Sequence, residues 1–211
     1  IKSINLIQNR SIELSFLFSI PATFGLLIAS DQIINSLFGY GSFSSLDVKN
    51  TALALTFFSI GVPAFSLIKV LSTFYFARGN TKLPFYVSFL TMIINIAISI
   101  SFFKKYGFII IPIATSISTW VAVLIYFILL LRKKIISFED KYLINFLKIL
   151  VATIFMSLFL YFGLDIFEDK FEYTYKFKLI YLLIVIGLSA TIYLIIIKLL
   201  GVLSLKSYKL K

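Results

Sequence analysis

Apolar stretches of bilayer length recur six times along this chain, and that recurrence constrains the fold more than any other feature. A helix crosses the hydrocarbon core with about 20 mainly apolar residues. Six segments meet that requirement: about 14–37, 51–77, 84–103, 108–131, 143–164 and 179–200. Lipid offers no water to pair with bare peptide groups, so only helices and closed barrels span it. The alternation of barrel strands is absent. The sequence therefore predicts an all-α, polytopic transmembrane bundle of about six helices in one membrane domain. Composition agrees: 60% of the residues are hydrophobic and mean hydropathy is +1.03, against about 45–50% apolar residues in soluble domains.

The formal net charge is +11, from 20 Lys and Arg against 9 Asp and Glu. The basic residues mostly fall between the apolar runs, where they set topology and meet anionic headgroups. No nucleic-acid partner is expected; membrane lipids are. Cys and His are absent, which removes disulfides, thiolate chemistry and the commonest metal ligand and general base. The chain opens IKSINLIQNR, without initiator methionine or signal-peptide pattern, so it is expected to be part of a longer protein.

The connections are short and punctuated. In FGYGSFSSLD (38–47), Ser44, Ser45 or Asp47 can cap the second helix. In ARGNTKLP (77–84), Gly79 suits a helix C-terminus and Pro84 the first turn of the next helix. Six spans place both ends on one side. That side collects Lys2, Arg10, Arg78, Lys82, Arg132, Lys133, Lys134, Lys141, Lys206, Lys209 and Lys211. The other side holds Lys49, Lys104, Lys105, Lys170, Lys176 and Lys178. The richer side is expected to be cytoplasmic.

Polar groups inside the spans are the candidate site. Lys69 lies in FSLIKVLSTFYFARGN, eight residues before Ala77, about 12 Å at the helical rise. A charge at mid-helix costs about 2.5–3.5 kcal/mol to insert. Lys69 either snorkels to the inner interface or lines a water-filled path, and its depth favours the path. Pro63 adds to this, because a mid-helix proline frees the carbonyl four residues back, that of Ser59. Pro21, Gly61 and Pro63 are the candidate hinges. Asn95, mid-span, reads first as interhelical glue. Ala114, Ser118 and Ala122 form a small-residue packing stripe, with Thr115 and Thr119 as a hydroxyl row beside it. The last two spans are greasy and expected to face lipid, with Lys148 and Lys198 near their ends. No acid is expected deep within a span, and no carboxylate pair, zinc motif or nucleophile elbow occurs. Catalytic residues, metal ligands and cofactors are expected to be none.

The segment FGYGSFSSLDVKNTALALTFFSIGVPAFSLIKVLSTFYFARGNTKLP resembles the MurJ/MviN lipid II flippases. The resemblance rests on the Gly/Ser loop, then Ala54, Leu55, Ser59 and Gly61. It continues through Lys69, Val70 and Leu71, Phe74 and Tyr75, then Ala77, Arg78, Thr81, Lys82 and Pro84. Phe76 stands between the tyrosine and the alanine, where family members often read FYA. The likeness is good over about 10–134 and hydropathic beyond. It implies a fourteen-helix protein of the MOP flippase superfamily, this chain being its last six helices. Residues 1–134 would supply four helices of the second lobe, and 135–211 two peripheral helices that form a groove for the lipid tail. Lys69 matches a basic position of the family's tenth helix. Lys69, Arg78, Lys82, Asn95, Thr115 and Thr119 are the expected cavity residues. The implied partners are lipid II or a related undecaprenyl-pyrophosphate-linked lipid and the remaining N-terminal helices of the same protein. The implied place is the bacterial inner membrane.

Other readings compete. One is another MOP-type transporter, for polysaccharide lipids or drugs. A second is a membrane sugar transferase, for which the inner side offers only Glu13, Glu139 and Asp140 as carboxylates. A third is a structural subunit without substrate.

Overall fold

The computed structural model describes residues 2–137 and 140–202; Glu139, Lys206, Lys209 and Lys211 lie outside the described residues. Among these the chain is helical, with no strand. The helices are α1 (Lys2–Phe38), α2 (Ser45–Ser59), α3 (Val62–Phe76), α4 (Lys82–Tyr106), α5 (Ile110–Arg132), α6 (Asp140–Ile166) and α7 (Lys178–Leu199). Each expected span has its helix, and the second is two helices, α2 and α3, meeting at a 40° bend. The apolar run Lys82–Arg132 is 51 residues long. Gly107, at a φ of 61°, turns it back into the α4–α5 hairpin. Glycine adopts that left-handed conformation without the Cβ penalty other residues incur.

The helix ends follow local chemistry. Ser44 and Asp47 form a reciprocal capping box on α2: Asp47 N–H donates to Ser44 Oγ at 3.3 Å, and Ser44 N–H donates to Asp47 Oδ2 at 2.9 Å. This satisfies two amides that the first turn leaves bare. At the end of α3, Gly79 takes a φ of 68°. Asn80 N–H then returns to Tyr75 O at 3.0 Å, and Asn80 Oδ1 accepts from Leu83 N–H at 3.1 Å in the next helix.

α1 is the central pillar. It packs against α2 and α3 on one side and α6 and α7 on the other, while α5 closes the first group and carries α4 outside it. The core between α1, α3 and α5 is built from Ile12, Ala64, Leu67, Leu71, Tyr75, Val123, Tyr126 and Leu130. Leu67, Leu71 and Tyr75 recur every four residues, which keeps them on one face of α3. A second core joins α1 to α6 and α7 through Leu17, Ile20, Ile149, Ala152, Met156, Tyr193 and Ile197. α7 buries a single stripe, Leu182, Val185, Ser189, Tyr193 and Ile197. Its remaining aliphatic residues, such as Leu183, Ile184, Leu188 and Leu194, are exposed. One buried stripe and an apolar outer surface suit a helix with one flank on lipid. Among apolar tails, close packing rather than water exclusion holds such helices together.

Polar clasps reinforce the attachment of α6 and α7. Lys178, at the start of α7, has no exposed surface. Its ammonium donates to Asn35 Oδ1 at 2.9 Å, Gly39 O at 2.8 Å and Tyr173 O at 3.0 Å. It also lies 4.2 Å from the Tyr40 ring centre and 5.1 Å from that of Tyr173. Three oxygens use its three protons, and the ring faces add cation–π attraction. Asn35 Nδ2 donates in turn to Phe171 O at 2.6 Å, and Tyr173 Oη to Phe43 O at 2.6 Å. At the other end of α1, Glu13 corrects the expectation that no acid lies deep. It is 4% exposed, paired with Arg10, and accepts from Asn145 Nδ2 of α6 at 3.1 Å. Hydropathy placed the start of this span after Glu13, but the helix runs on for three polar turns. Lys148 Nζ caps the end of α7 by donating to Leu200 O at 2.9 Å, the interaction expected of a cation near a helix C-terminus.

Lys178→Met keeps the chain length and strands the cage oxygens. It should destabilise the full-length protein by about 2–4 kcal/mol, read as a lower Tm in detergent. An unchanged Tm contradicts the clasp.

Candidate functional site

The break between α2 and α3 organises the candidate site. Ile60 and Gly61 have ordinary right-handed backbones. Gly61 N–H, however, turns to Phe58 O at 2.9 Å, which tightens the last turn of α2 and leaves Phe57 O without it. Pro63 follows and has no N–H to offer. α5 closes the gap: Ser116 Oγ donates to Phe57 O at 2.7 Å and Trp120 Nε1 donates to Ile60 O at 3.0 Å. Ser116 and Trp120 are four residues apart, so one face of α5 serves both carbonyls. Sequence reasoning expected the freed carbonyl to be that of Ser59; α5 reaches those of Phe57 and Ile60 instead. The break begins two residues before the proline, at the tightened turn.

Gly61 is required by this contact, not by its φ. A Cβ at that position would lie 2.8 Å from Ser116 Oγ and 2.9 Å from Phe65 Cε2. The packing stripe of α5 reads as expected: Ala114, Ser118 and Ala122 are 0–1% exposed.

The expected cavity residues do not share one hollow. Lys69 is exposed on α3; its carbonyl accepts from Ser72 Oγ at 3.1 Å and Thr73 Oγ1 at 2.7 Å, and its ammonium has no hydrogen bond or ion pair among the described residues. It lines a cleft of about 310 Å³ with Ser11, Val70, Thr73 and Phe74. The seam of α1 and α3 beside it is partly polar: Ser15 Oγ donates to Ser66 Oγ at 2.8 Å, one turn from Lys69. Arg78 is tied down. It donates to Phe74 O at 2.6 Å and to the Gln8 side chain at 3.2 Å, while Gln8 donates to Ile135 O at 3.0 Å. Lys82 opens α4 and lines a different hollow, about 500 Å³, with Tyr86, Val87, Ile125 and Leu129. Asn95 Nδ2 donates to Thr115 Oγ1 at 2.9 Å, joining α4 to α5. Thr119 is buried and donates back to Thr115 O at 2.6 Å. Asn95 and Thr115 thus link helices here, and Thr119 serves its own backbone. Pro21 lies inside α1, which continues through it unbroken. Sequence reasoning missed the Lys178 cage, the buried Glu13 and Tyr193, whose hydroxyl donates to Leu17 O at 2.6 Å. For the last, the sequence shows only that Leu17 O, four residues before Pro21, needs a donor, and not which residue supplies it.

The arrangement offers an unpaired ammonium on a broken helix, beside hydroxyls and within an apolar bundle. It can attract an anion; among the described residues nothing gathers three or more metal-binding side chains. Comparison with known proteins gives these features a context. The family described as "Lipid II flippase MurJ" matches residues 1–202.

The chain belongs to the lipid II flippase MurJ family.

A probable lipid II flippase MurJ of Rickettsia prowazekii is 39% identical over 114 residues, covering 54% of this chain and 22% of that protein. Its counterpart in Borreliella burgdorferi is 30% identical over 195 residues, covering 92% of this chain and 38% of that protein. The lipid II flippase MurJ of Thermosipho africanus is 32% identical over 170 residues, 81% of this chain and 34% of its own. A solved lipid II flippase MurJ in an inward closed conformation superposes with a TM-score of 0.73 at 31% identity, over 92% of this chain and 38% of that one. This chain therefore spans well under half of the relatives it matches. The MurJ match extends beyond the signature at residues 54–84 into α6 and α7, which hydropathy alone had joined to it.

Gly61→Val places two methyl groups where Ser116 and Phe65 pack. It should separate α5 from the break and reduce folded full-length protein severalfold, seen as monodisperse yield in detergent. Ser116→Ala removes one donor and should cost about 1 kcal/mol. Equal Tm values for both variants and the wild type would refute the account of the break.

Proposed function

We propose that this chain is the C-terminal part of a lipid II flippase, which carries a pyrophosphate-linked headgroup from the inner to the outer leaflet of the bacterial inner membrane by alternating access. The observation that carries the reading is the family match along residues 1–202. The geometry supports it at Lys69. A headgroup diphosphate cannot enter hydrocarbon without a compensating charge. Lys69 supplies a cation that no carboxylate or carbonyl of the described residues neutralises, in a cleft with the Ser11 and Thr73 hydroxyls. Lys82, from its separate hollow, and Arg78, through its remaining guanidinium protons, extend the positive field along the inner ends of α3 and α4.

In this reading residues 1–134 complete the second lobe and 135–211 form the peripheral pair. The N-terminal helices of the full-length protein supply the facing lobe and the rest of the cavity. Asn95, Thr115 and Thr119 line the path from the α4–α5 side, their pairing in this structure being one state of a cycle. Gly61 and Pro63 mark where the second lobe flexes, and Pro21 is the corresponding point on α1. Alternating access of this kind rocks one bundle against the other around a fixed site. The protein acts as a transporter with no cofactor and no covalent step.

Lys69→Ala in the full-length protein should lower lipid II translocation about tenfold, equivalent to about 1.4 kcal/mol of barrier. Lys69→Arg should retain most of it, since the charge is what matters. Wild-type flux in the alanine variant would reduce Lys69 to a snorkelling side chain. Topology is tested separately, because the chain has no native cysteine. A cysteine at Lys134 should react with an impermeant reagent only from the cytoplasmic side, and one at Lys170 only from outside.

A further inference from the structure

A proline inside a helix leaves the carbonyl four residues before it without its amide partner. In α1 that proline is Pro21 and that carbonyl is Leu17's. Both residues are buried, so no solvent reaches the gap. The hydroxyl of Tyr193, in the C-terminal half of α7, donates to Leu17 O at 2.6 Å. Tyr193 itself is 5% exposed and packs among Leu17, Ile20, Ile149 and Met156. Of the two hydroxyls in the buried stripe of α7, that of Ser189 donates to Val185 O of its own helix at 2.7 Å, and that of Tyr193 falls on the backbone group of α1 that needs a donor.

The position of this contact gives it reach. Two residues before Leu17, Ser15 donates to Ser66 of α3, and Ser11, one turn further, lines the cleft that holds Lys69. The stretch of α1 that Tyr193 fastens is therefore continuous with the wall of the candidate path. Ser19 and Thr23 do not substitute for it: Thr23 Oγ1 donates to Ser19 O at 2.8 Å, and Ser19 Oγ has no partner.

We infer that Tyr193 is a positioning residue for translocation, supplying from α7 the hydrogen bond that Pro21 denies α1 and so holding α1 in place beside Lys69. The role in translocation rests on the flippase reading; the hydrogen-bond assignment does not. α7 is then a working part of the path's wall as well as a lipid-facing helix.

The test is a double-mutant cycle in the full-length protein. Tyr193→Phe removes only the hydroxyl and keeps the ring in its packing. Pro21→Ala restores an amide that can reach Leu17 O. Tyr193→Phe should lower Tm clearly in the wild-type background and by about half as much or less in the Pro21→Ala background, as coupled residues do. Equal shifts in the two backgrounds overturn the proposal. A second measurement needs no proline variant: backbone amide exchange over residues 22–26 should speed severalfold in Tyr193→Phe, with residues 64–75 of α3 changing less. Unaltered exchange over 22–26 also overturns it. In proteoliposomes Tyr193→Phe should slow lipid II flux about threefold or more while lipid II binding stays within twofold, because Tyr193 never touches the headgroup. Parallel losses of binding and flux would make its role purely structural. Absence of lipid II flux in the wild type would end the flippase reading and leave the exchange and Tm results to decide the hydrogen bond.

Discussion

A peptide carbonyl buried away from water must find a donor within the protein, and this bundle is arranged around the places where its helices fail to provide one. A regular helix satisfies its own backbone and can be wrapped in apolar side chains without further provision. Pro21 and the turn before Pro63 break that self-sufficiency. Each time, a different helix repairs the fault with a side chain: α7 through Tyr193, α5 through Ser116 and Trp120. These donors are specific in position and direction, whereas apolar packing between helices in lipid is permissive. They determine which face of α5 meets α2–α3 and which face of α7 meets α1.

The same constraint explains the division of labour among the helices. α1 touches both groups because it is long and furnished with polar side chains along its length. Its ends are fastened to α6 and α7 by charged clusters of opposite design. One is a buried cation held by carbonyls and rings, the other a buried acid held by an arginine and an amide. α4 packs along α5 but buries only Pro84 and Val87.

Much of this was legible in the sequence. The six spans, the interruption near Gly61, the Ser44–Asp47 cap and the Ala114–Ser118–Ala122 stripe all follow from local pattern. These features need only a period, a cap residue or a run length. The partners of the freed carbonyls were not legible, because Ser116 and Tyr193 lie 59 and 176 residues from the carbonyls they serve and no local rule links them. In sequence Lys178 reads as a loop cation, because nothing in its neighbourhood announces that Asn35 and Gly39 will converge on it with Tyr173. Glu13 was missed because hydropathy began the first span too late. At the site, the sequence places Lys69 within the apolar run of α3, while its separation from Lys82 depends on how α3 and α4 diverge after Gly79. Asn95 was correctly read as a link between helices.

The repair of the α2–α3 elbow by α5 has a mechanical meaning. Straightening the elbow would pull two carbonyls off their side-chain donors. Flexing at Gly61 and Pro63 therefore has a definite cost, the two hydrogen bonds that α5 donates to the elbow. A motion that keeps those bonds carries α2, α3 and α5 together, and one that opens the elbow must first release α5.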